Sequence, residues 1–350
     1  MPEQKKDIRT LRLDELQAYF EALKAPKFRA KQVYEWLWKK NAYSFEEMTN
    51  LPKNLRQQLS ETFVIQPIVE DLTQVSADGT IKTRFRLHDG HLIESVLIPV
   101  PGQDRYTVCI SSQVGCSLSC KFCATGQMDR LRNLTAGEIY DQVVKVNAQC
   151  QAHYQHDITN VVYMGMGEPL LAYKPVLRSI ELLTTSEGLD WSPRRLTVST
   201  AGIAKLIKRL ADDGTRVNLA LSLHAADDEK RNTIMAINET NNLATLTEAL
   251  QYFYQHTKDS KITFEYIAFD GFNDTTEDAK NLLKLCRQVP TAKVNIIEYN
   301  PVEGVPYVKS APGQLDRFAG YLRQHGVGVT VRRSRGKDID AACGQLANKT

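Results

Sequence analysis

Long apolar runs are missing from this 350-residue sequence. No stretch approaches the 18 or more consecutive apolar residues that a membrane-spanning helix needs, and the first ten residues contain no apolar signal core. Low-complexity tracts and internal repeats are missing as well. These absences argue against a membrane protein and a repeat protein, and we expect a cytoplasmic protein that makes no membrane contact.

A disulfide framework and a strongly charged composition are also lacking. The seven cysteines are an odd number in a sequence without a secretion signal, so they do not predict structural disulfides. Four of the seven fall between Cys109 and Cys123, which indicates metal or redox chemistry. The formal net charge of +3 is compatible with RNA binding and does not establish it.

The first third of the chain divides into two parts. Residues 1 to 68 have apolar residues at helical spacing and many lysines and arginines, which form either a solvated face or an RNA-contacting face. Residues 69 to 100 predict a small β-meander. Apolar and polar side chains alternate with a period of two in the stretch bounded by Asp78-Gly79 and Asp89-Gly90, and these two pairs predict hairpin turns. Its last strand places Glu94 among apolar residues, where a carboxylate needs a partner or a task.

Residues 101 to 350 predict an α/β domain. Six candidate strands alternate with helical patterns, and Thr135 with Glu138 forms a capping box at the start of one helix. Six β/α units in series predict a parallel sheet covered by helices and curved into a partial (β/α)6 barrel. The predicted strands are 107–112, 159–164, 195–199, 217–223, 262–269 and 293–299.

Three closely spaced cysteines follow the first of these strands. Cys116, Cys120 and Cys123 are separated by three and then two residues, so one loop can wrap three thiolates around an iron–sulfur cluster. Three ligands for four irons leave one iron open, as in a reactive metal centre. A structural zinc ion with Cys109 as fourth ligand and an electron-transfer ferredoxin are alternatives, and neither fits the spacing well.

Longer motifs surround these cysteines and extend along the chain. Together they resemble the RlmN/Cfr family of radical S-adenosylmethionine (SAM) RNA adenine methyltransferases, and the resemblance covers essentially the whole sequence. The residues after Gly126 depart from the usual family pattern, which has a further glycine there. The motifs are Leu92–Pro99, Cys109–Gly126, Arg132–Thr135, Tyr163–Leu170, Ser222–His224, Tyr299–Pro301 and Asp338–Leu346.

The resemblance implies a reaction and a set of catalytic residues. Members of the RlmN branch methylate C2 of adenine in 23S rRNA, at the peptidyl-transferase centre, and in the anticodon loop of tRNAs. In the scheme that the resemblance implies, Cys343 carries the methyl group and forms a transient disulfide with Cys109. Glu94 is the expected proton acceptor, and Cys109 is an alternative that can share this role. The cofactors are one [4Fe–4S] cluster held by Cys116, Cys120 and Cys123, and SAM.

The same resemblance implies SAM contacts at the ends of the predicted strands, where ligands of parallel α/β folds bind. An electron donor such as flavodoxin with its reductase is a further expected partner, and we expect a monomer. The SAM-binding residues are expected to be Gly167, Glu168, Ser199, Ser222, Leu223, His224 and Asn300.

Two other functions compete with this interpretation. A Cfr-type enzyme would methylate C8 of adenine, but Pro169 after Glu168 favours the RlmN branch, because the Cfr pattern tends to have alanine there. A catalytically silent iron–sulfur RNA-binding protein would need none of Glu94, Cys109 and Cys343. RNA contacts are expected along Lys82, Arg84 and Arg86, on the N-terminal helices, and at Arg194, Arg195, Arg332, Arg333, Arg335 and Lys337.

Overall fold

The computed structural model describes residues 5–257, 260–290 and 292–349. The N-terminal part contains three helices and a short parallel strand pair, in which β1 pairs with β2. Each helix buries its apolar stripe, as the periodicity of the sequence predicts. None of the described helices is long and apolar enough to cross a membrane. The elements are β1 (Lys6–Asp7), α1 (Leu13–Ala22), α2 (Phe28–Trp38), α3 (Lys53–Thr62) and β2 (Phe63–Val64).

The rest of the described chain is built around one ten-stranded sheet. Three antiparallel strands come first, and Gly79 and Gly90 both adopt a positive φ of 85° in the two hairpin turns, as the Asp-Gly pairs predict. A fourth strand continues this sheet, and a short ribbon of two strands lies beside it. These strands are β3 (Val69–Val75), β4 (Ile81–Arg86), β5 (Leu92–Val100), β6 (Arg105–Cys109), β7 (Gln113–Val114) and β8 (Arg132–Asn133).

Parallel β/α units follow, and they confirm the predicted fold class. The helix that opens at Thr135 has the predicted capping box, with reciprocal hydrogen bonds between Thr135 and Glu138. The elements are α4 (Ala136–Tyr154), β9 (Asn160–Tyr163), α5 (Tyr173–Thr184), β10 (Leu196–Thr200), α6 (Ala204–Asp212), β11 (Asn218–Ser222), α7 (Asp228–Ile234), α8 (Leu243–His256), β12 (Ile262–Ala268), α9 (Thr276–Gln288), β13 (Lys293–Glu298), α10 (Gln314–Gln324) and β14 (Val329–Arg332).

The sheet order is β14-β13-β12-β11-β10-β9-β6-β5-β4-β3, and every neighbouring pair from β6 to β14 is parallel. The described sheet therefore has seven parallel strands where the sequence predicted six. The seventh, β14, was missed because it spans four residues and ends on Arg332, so it lacks the apolar run of the others. The meander is not separate, since β5 pairs with β6.

The strand register divides the sheet into two faces. One face carries fully buried apolar residues such as Val108, Val161 and Val198, which belong to the main hydrophobic core. The opposite face carries Glu94, Cys109, Ser199 and Ser222. Residues that pair across neighbouring strands share a face, and so do residues two positions apart along one strand, so the register places all four on the same side. A single polar face therefore brings together residues that are far apart in sequence.

Candidate active site

The three spaced cysteines lie in the loop between the ribbon strands β7 and β8. This loop is tightly folded, because the Cys123 amide donates to the Cys120 carbonyl over 3.1 Å and Gly126 packs against the same residue. A Cβ at position 126 would lie 2.6 Å from the Cys120 carbonyl oxygen. Gly115 has a φ of +74° and has no room for a side chain beside Asp129. The loop thus positions its cysteines through close backbone contacts.

The thiols of this loop suit a polynuclear cluster better than a single ion. Burial is the main cause that raises the pKa of Cys116, to about 11, and the charge of Cys123 raises it further. Burial and the charges of Cys123 and Cys116 also raise the pKa of Cys120. Thiolates in this loop therefore need a bound cation. No group of three His, Cys, Asp or Glu side chains in the described ranges is arranged to hold one metal ion, whereas an iron–sulfur cluster takes each thiolate on a different iron.

The loop after β9 fits closely against the start of the cysteine loop. Gly165 lies against Ile110, and a Cβ there would be 2.7 Å from the Ile110 carbonyl carbon. Gly167 has a φ of +97° and contacts Gln113, whose side-chain oxygen accepts the Glu168 amide over 2.8 Å. Only glycine allows both approaches. The Gly-Met-Gly-Glu motif therefore fixes the backbone on which Glu168 stands.

Glu168 is buried and connects two strand ends. One carboxylate oxygen accepts from the Leu170 amide at 3.0 Å, and the other accepts from the Ala201 amide, after β10, at 2.8 Å. Burial raises the pKa of Glu168 to about 7, and the hydrogen bonds from Ala201 and Leu170 oppose that rise. Each oxygen keeps a lone pair, so Glu168 can still accept from an ammonium group.

The other expected SAM positions cluster at the carboxyl ends of β10, β11 and β13. The Ser199 and Ser222 hydroxyls lie 3.5 Å apart. His224 is buried, adopts a φ of +55° and accepts the Ile267 amide on Nδ1 at 3.1 Å. Burial and the charge of Arg231 lower the pKa of His224 to about 3, so its ring is neutral. Asn300 is buried two residues after β13 and donates to the Glu298 carbonyl.

Glu94 has partners on both sides. Its Oε1 lies 3.6 Å from the Lys82 ammonium, and both side chains are almost fully buried. Its Oε2 accepts two amides of the C-terminal tail, from Ala347 at 3.0 Å and Asn348 at 3.1 Å. The tail also bonds to the cysteine loop, since the Ala124 amide donates to the Gly344 carbonyl over 2.7 Å. The carboxylate therefore holds the tail in this conformation.

The tail brings Cys343 towards Cys109 and the cysteine loop. Cys343 is exposed to solvent, yet protein surrounds it closely enough that desolvation raises its pKa to about 12. The Cys123 charge contributes to this rise, and the Cys343 charge in turn contributes to the raised pKa of Cys109, after burial. All the described cysteines are free thiols.

Two features of this region were missed by sequence reasoning. Glu265 lies on the polar sheet face near Cys343. Arg332, which was expected to contact RNA, has its guanidinium 3.6 Å from the Glu265 carboxylate. Arg231, on α7, is fully buried and donates to carbonyls at the ends of β10 and β11. The only available signal was an acidic residue inside an apolar strand for Glu265, and Arg231 lies in a polar stretch that is typical of a surface helix.

The expected RNA contacts need correction at several positions. Lys82 is buried against Glu94, and Arg84 pairs with Asp71 at 2.6 Å and donates to the Asn348 carbonyl at 3.2 Å. Arg332 pairs with the buried Glu265 at 3.6 Å, although its own side chain is 39% exposed. Period-two alternation predicted one buried and one exposed face for β4, but the tail covers the second face. These three side chains therefore have roles inside the protein.

Comparisons with known proteins agree with this geometry. Residues 6–65 match the model of the ribosomal RNA large subunit methyltransferase N-terminal domain, and residues 110–286 match the radical SAM superfamily. The chain is 56% identical to the probable dual-specificity RNA methyltransferase RlmN of Cytophaga hutchinsonii, over 99% of this chain and 93% of that protein. It is 43% identical to the dual-specificity RNA methyltransferase RlmN of Campylobacter curvus, over 97% and 93%.

A solved structure is also similar over nearly the whole length. The radical SAM methyltransferase from Sphaerobacter thermophilus superposes with a TM-score of 0.91 at 40% sequence identity, and the match covers 98% of this chain and 100% of that one. Both the N-terminal part and the sheet with its cysteine loop are thus shared with a methyltransferase. The chain belongs to the RlmN family of RNA methyltransferases, within the radical SAM superfamily.

Proposed function

We propose that this protein methylates C2 of adenine, in 23S rRNA at the peptidyl-transferase centre and in the anticodon loop of tRNAs. The observation that carries this proposal is the position of Cys343 in the docked tail. The neighbouring Gly344 carbonyl accepts the Ala124 amide of the cysteine loop, and Cys343 lies near enough to both Cys109 and Cys123 for electrostatic interaction. A methyl carrier must reach a radical source on one side and a second thiol on the other. An RNA-binding protein without activity has no use for either neighbour.

The target carbon requires unusual chemistry. C2 of adenine lies between two electron-withdrawing ring nitrogens, so it cannot attack the methyl group of SAM, whereas a carbon radical can add to it. Cys116, Cys120 and Cys123 would hold a [4Fe–4S] cluster, which would supply the electron for cleavage of SAM to a radical. The SAM contacts are Gly167, Glu168, Ser199, Ser222, Leu223, His224 and Asn300, which line one edge of the sheet.

The remaining steps belong to the protein's own side chains. Cys343 carries the methyl group. This methyl would lose one hydrogen atom to the radical derived from SAM before its carbon adds to C2, and the adduct would return one electron to the cluster, so that Cys343 is joined to the base through a methylene carbon. Glu94 accepts the proton that leaves the base. The Cys109 thiolate attacks the sulfur of Cys343, so the S–S bond forms while the bond from that sulfur to the methylene carbon breaks, and the carbon keeps the electron pair and takes a proton.

This role requires the tail to move. Glu94 accepts the Ala347 and Asn348 amides in the structure, and Lys82 lies beside its other oxygen. A base can replace the two amides once the tail withdraws, while Lys82 stays beside the other oxygen. Glu94 thus exchanges one set of hydrogen-bond donors for another as substrate enters.

Two single replacements test the thiol roles. With Cys343→Ala there is no methyl carrier, so neither an RNA adduct nor methylated adenine forms. With Cys109→Ala the base is joined to Cys343 but cannot be released, so a nuclease-sensitive shift appears on a denaturing gel. Cys150→Ala, at a buried cysteine of α4, is the control and behaves like the wild type. Turnover by Cys109→Ala, or an adduct that survives loss of Cys343, would disprove these roles. Mass spectrometry of the nucleosides, compared with standards methylated at C2 and at C8, identifies which carbon of adenine is methylated.

A further inference from the structure

Arg231 is a buried cation whose principal partners are uncharged. Its side chain has no exposed surface, and Nη1 donates to the Asn238 side-chain oxygen at 2.6 Å. Within the described parts of the chain no carboxylate forms an ion pair with it. The charge of Asp228 acts on Arg231, but the two side chains are connected by hydrogen bonds through Asn238. A fully buried guanidinium without an ion pair is costly, so an anion is expected close to it in the working protein.

The surroundings of Arg231 identify where that anion lies. One turn further along α7, the Ile234 carbonyl accepts the Lys121 amide at 3.1 Å, and Lys121 follows Cys120 directly. Ile234 and Met235 share one buried cluster with Phe122, against which Cys120 and Cys123 pack. The end of α7 is therefore in contact with the cysteine loop, and its arginine lies just behind that loop.

Arg231 also joins the strand ends that carry the expected SAM positions. Nη2 donates to the Ala201 carbonyl at 2.6 Å and to the Ser222 carbonyl at 3.2 Å, and Nε donates to the Leu223 carbonyl at 3.1 Å. Its charge is thus fixed in one place by a fork of hydrogen bonds. A fixed positive charge in a dry setting has a larger electrostatic effect than a mobile one at the surface.

We propose that Arg231 is a positioning residue that acts as the buried counter-charge of the iron–sulfur centre and favours its reduced state. This inference rests on the proposed cluster at Cys116, Cys120 and Cys123. Three thiolates outweigh the positive charge of the iron–sulfur core, and reduction adds one more negative charge. A guanidinium behind Cys120 stabilises the more negative state, and so makes the electron that the reaction needs easier to accept.

Two replacements of this residue separate charge from hydrogen bonding. Arg231→Gln removes the charge and keeps an amide that can donate, whereas Arg231→Lys keeps the charge and loses the planar fork. Arg209→Gln removes an exposed arginine from α6 and is the matched control for a change in total charge. All four proteins are prepared without oxygen, and iron content and thermal unfolding are measured before any potential.

The measurement is a redox titration followed by electron paramagnetic resonance, without SAM or RNA. Arg231→Gln is expected to weaken reduction at least tenfold, which is a midpoint about 59 mV more negative. Arg231→Lys should recover most of that change, and Arg209→Gln should match the wild type. Equal midpoints in wild type and Arg231→Gln would overturn the inference, and so would equal shifts in Arg231→Gln and Arg231→Lys.

If Arg231→Gln does not retain iron, Asn238→Asp provides the second variant, because it places a carboxylate beside Nη1 and neutralises the charge of Arg231. It should lower the midpoint in the same direction, and an unchanged midpoint in this variant would equally overturn the inference. Failure of the proposed function is distinguishable, since a wild-type protein that binds no iron–sulfur cluster would show no resonance at all.

Discussion

Replacing Glu298 by glutamine should loosen the segment that leads to Cys343. Glu298 is the last residue of β13 and is nearly buried, and its carboxylate pairs with Lys309 at 2.6 Å and with Lys337. Lys337 begins the turn that precedes the tail. Burial alone would raise the pKa of Glu298, but the hydrogen bonds and charges of Lys309 and Lys337 outweigh it and lower the pKa to about 2.

The size of the effect follows from that pKa. A fall from the ordinary value of 4.5 to about 2 corresponds to roughly 3 kcal/mol, since one pKa unit corresponds to about 1.4 kcal/mol. The side chains of both lysines are about half exposed, so solvent screening reduces the stabilisation to about 1–2 kcal/mol. Because the folded pKa is lowered, the stabilisation is complete above about pH 5 and is lost as the pH falls towards 2.

Urea denaturation of the cluster-free protein measures this contribution. Glu298→Gln should unfold with a free energy about 1–2 kcal/mol below that of the wild type at pH 7, and the difference should shrink to about half at pH 4. Glu303→Gln is the matched control, because the Glu303 side chain is 91% exposed and its contact with the Lys349 ammonium is long, at 4.0 Å. Hydrogen exchange of residues 337–343 should rise in Glu298→Gln alone. Equal stability of both variants and the wild type would refute the reasoning.

Three further predictions concern the cluster, the Gly-Met-Gly-Glu loop and the N-terminal helices. Alanine in place of any of the three cluster cysteines should abolish iron binding and the brown colour. Cys286→Ala, at a cysteine of α9, is the control and should keep about four irons per chain by elemental analysis. A colourless, zinc-loaded wild type would contradict this prediction. Gly165→Ala should lower stability by about 1–3 kcal/mol and weaken SAM binding in calorimetry, because its Cβ would meet the Ile110 backbone. Gly320→Ala, in a helix with open space around it, should instead be neutral or stabilising. Asp141→Ala removes the carboxylate that the buried Arg9 contacts at 2.8 Å, so the unfolding free energy should fall by about 3–5 kcal/mol. An unchanged melting curve would show that this ion pair does not attach the N-terminal part to α4.

Sequence patterns did not predict the burial and the partners of several charged residues. Lys82 and Arg84 occupy positions in β4 that alternate with apolar residues, and that pattern predicts solvent exposure. The tail that covers them is more than 250 residues away in sequence, as its contact with Glu94 shows. Arg231 gave no signal either, because the cysteine loop that its helix contacts is more than 100 residues away in sequence.

The sequence by itself determined the fold class and the residues on which the proposed chemistry of the site depends. Hydrophobic periodicity depends on neighbours along the chain, so it located six of the seven parallel strands and the helices between them except the short polar α7. The spacing of three cysteines is likewise a property of one loop. Only the tertiary structure decided which side chains meet. The register of separate strands places Glu94, Cys109, Ser199 and Ser222 on one face, and the docked tail brings Cys343 to them. Such contacts depend on how distant segments pack, and no local pattern of residue types encodes that packing.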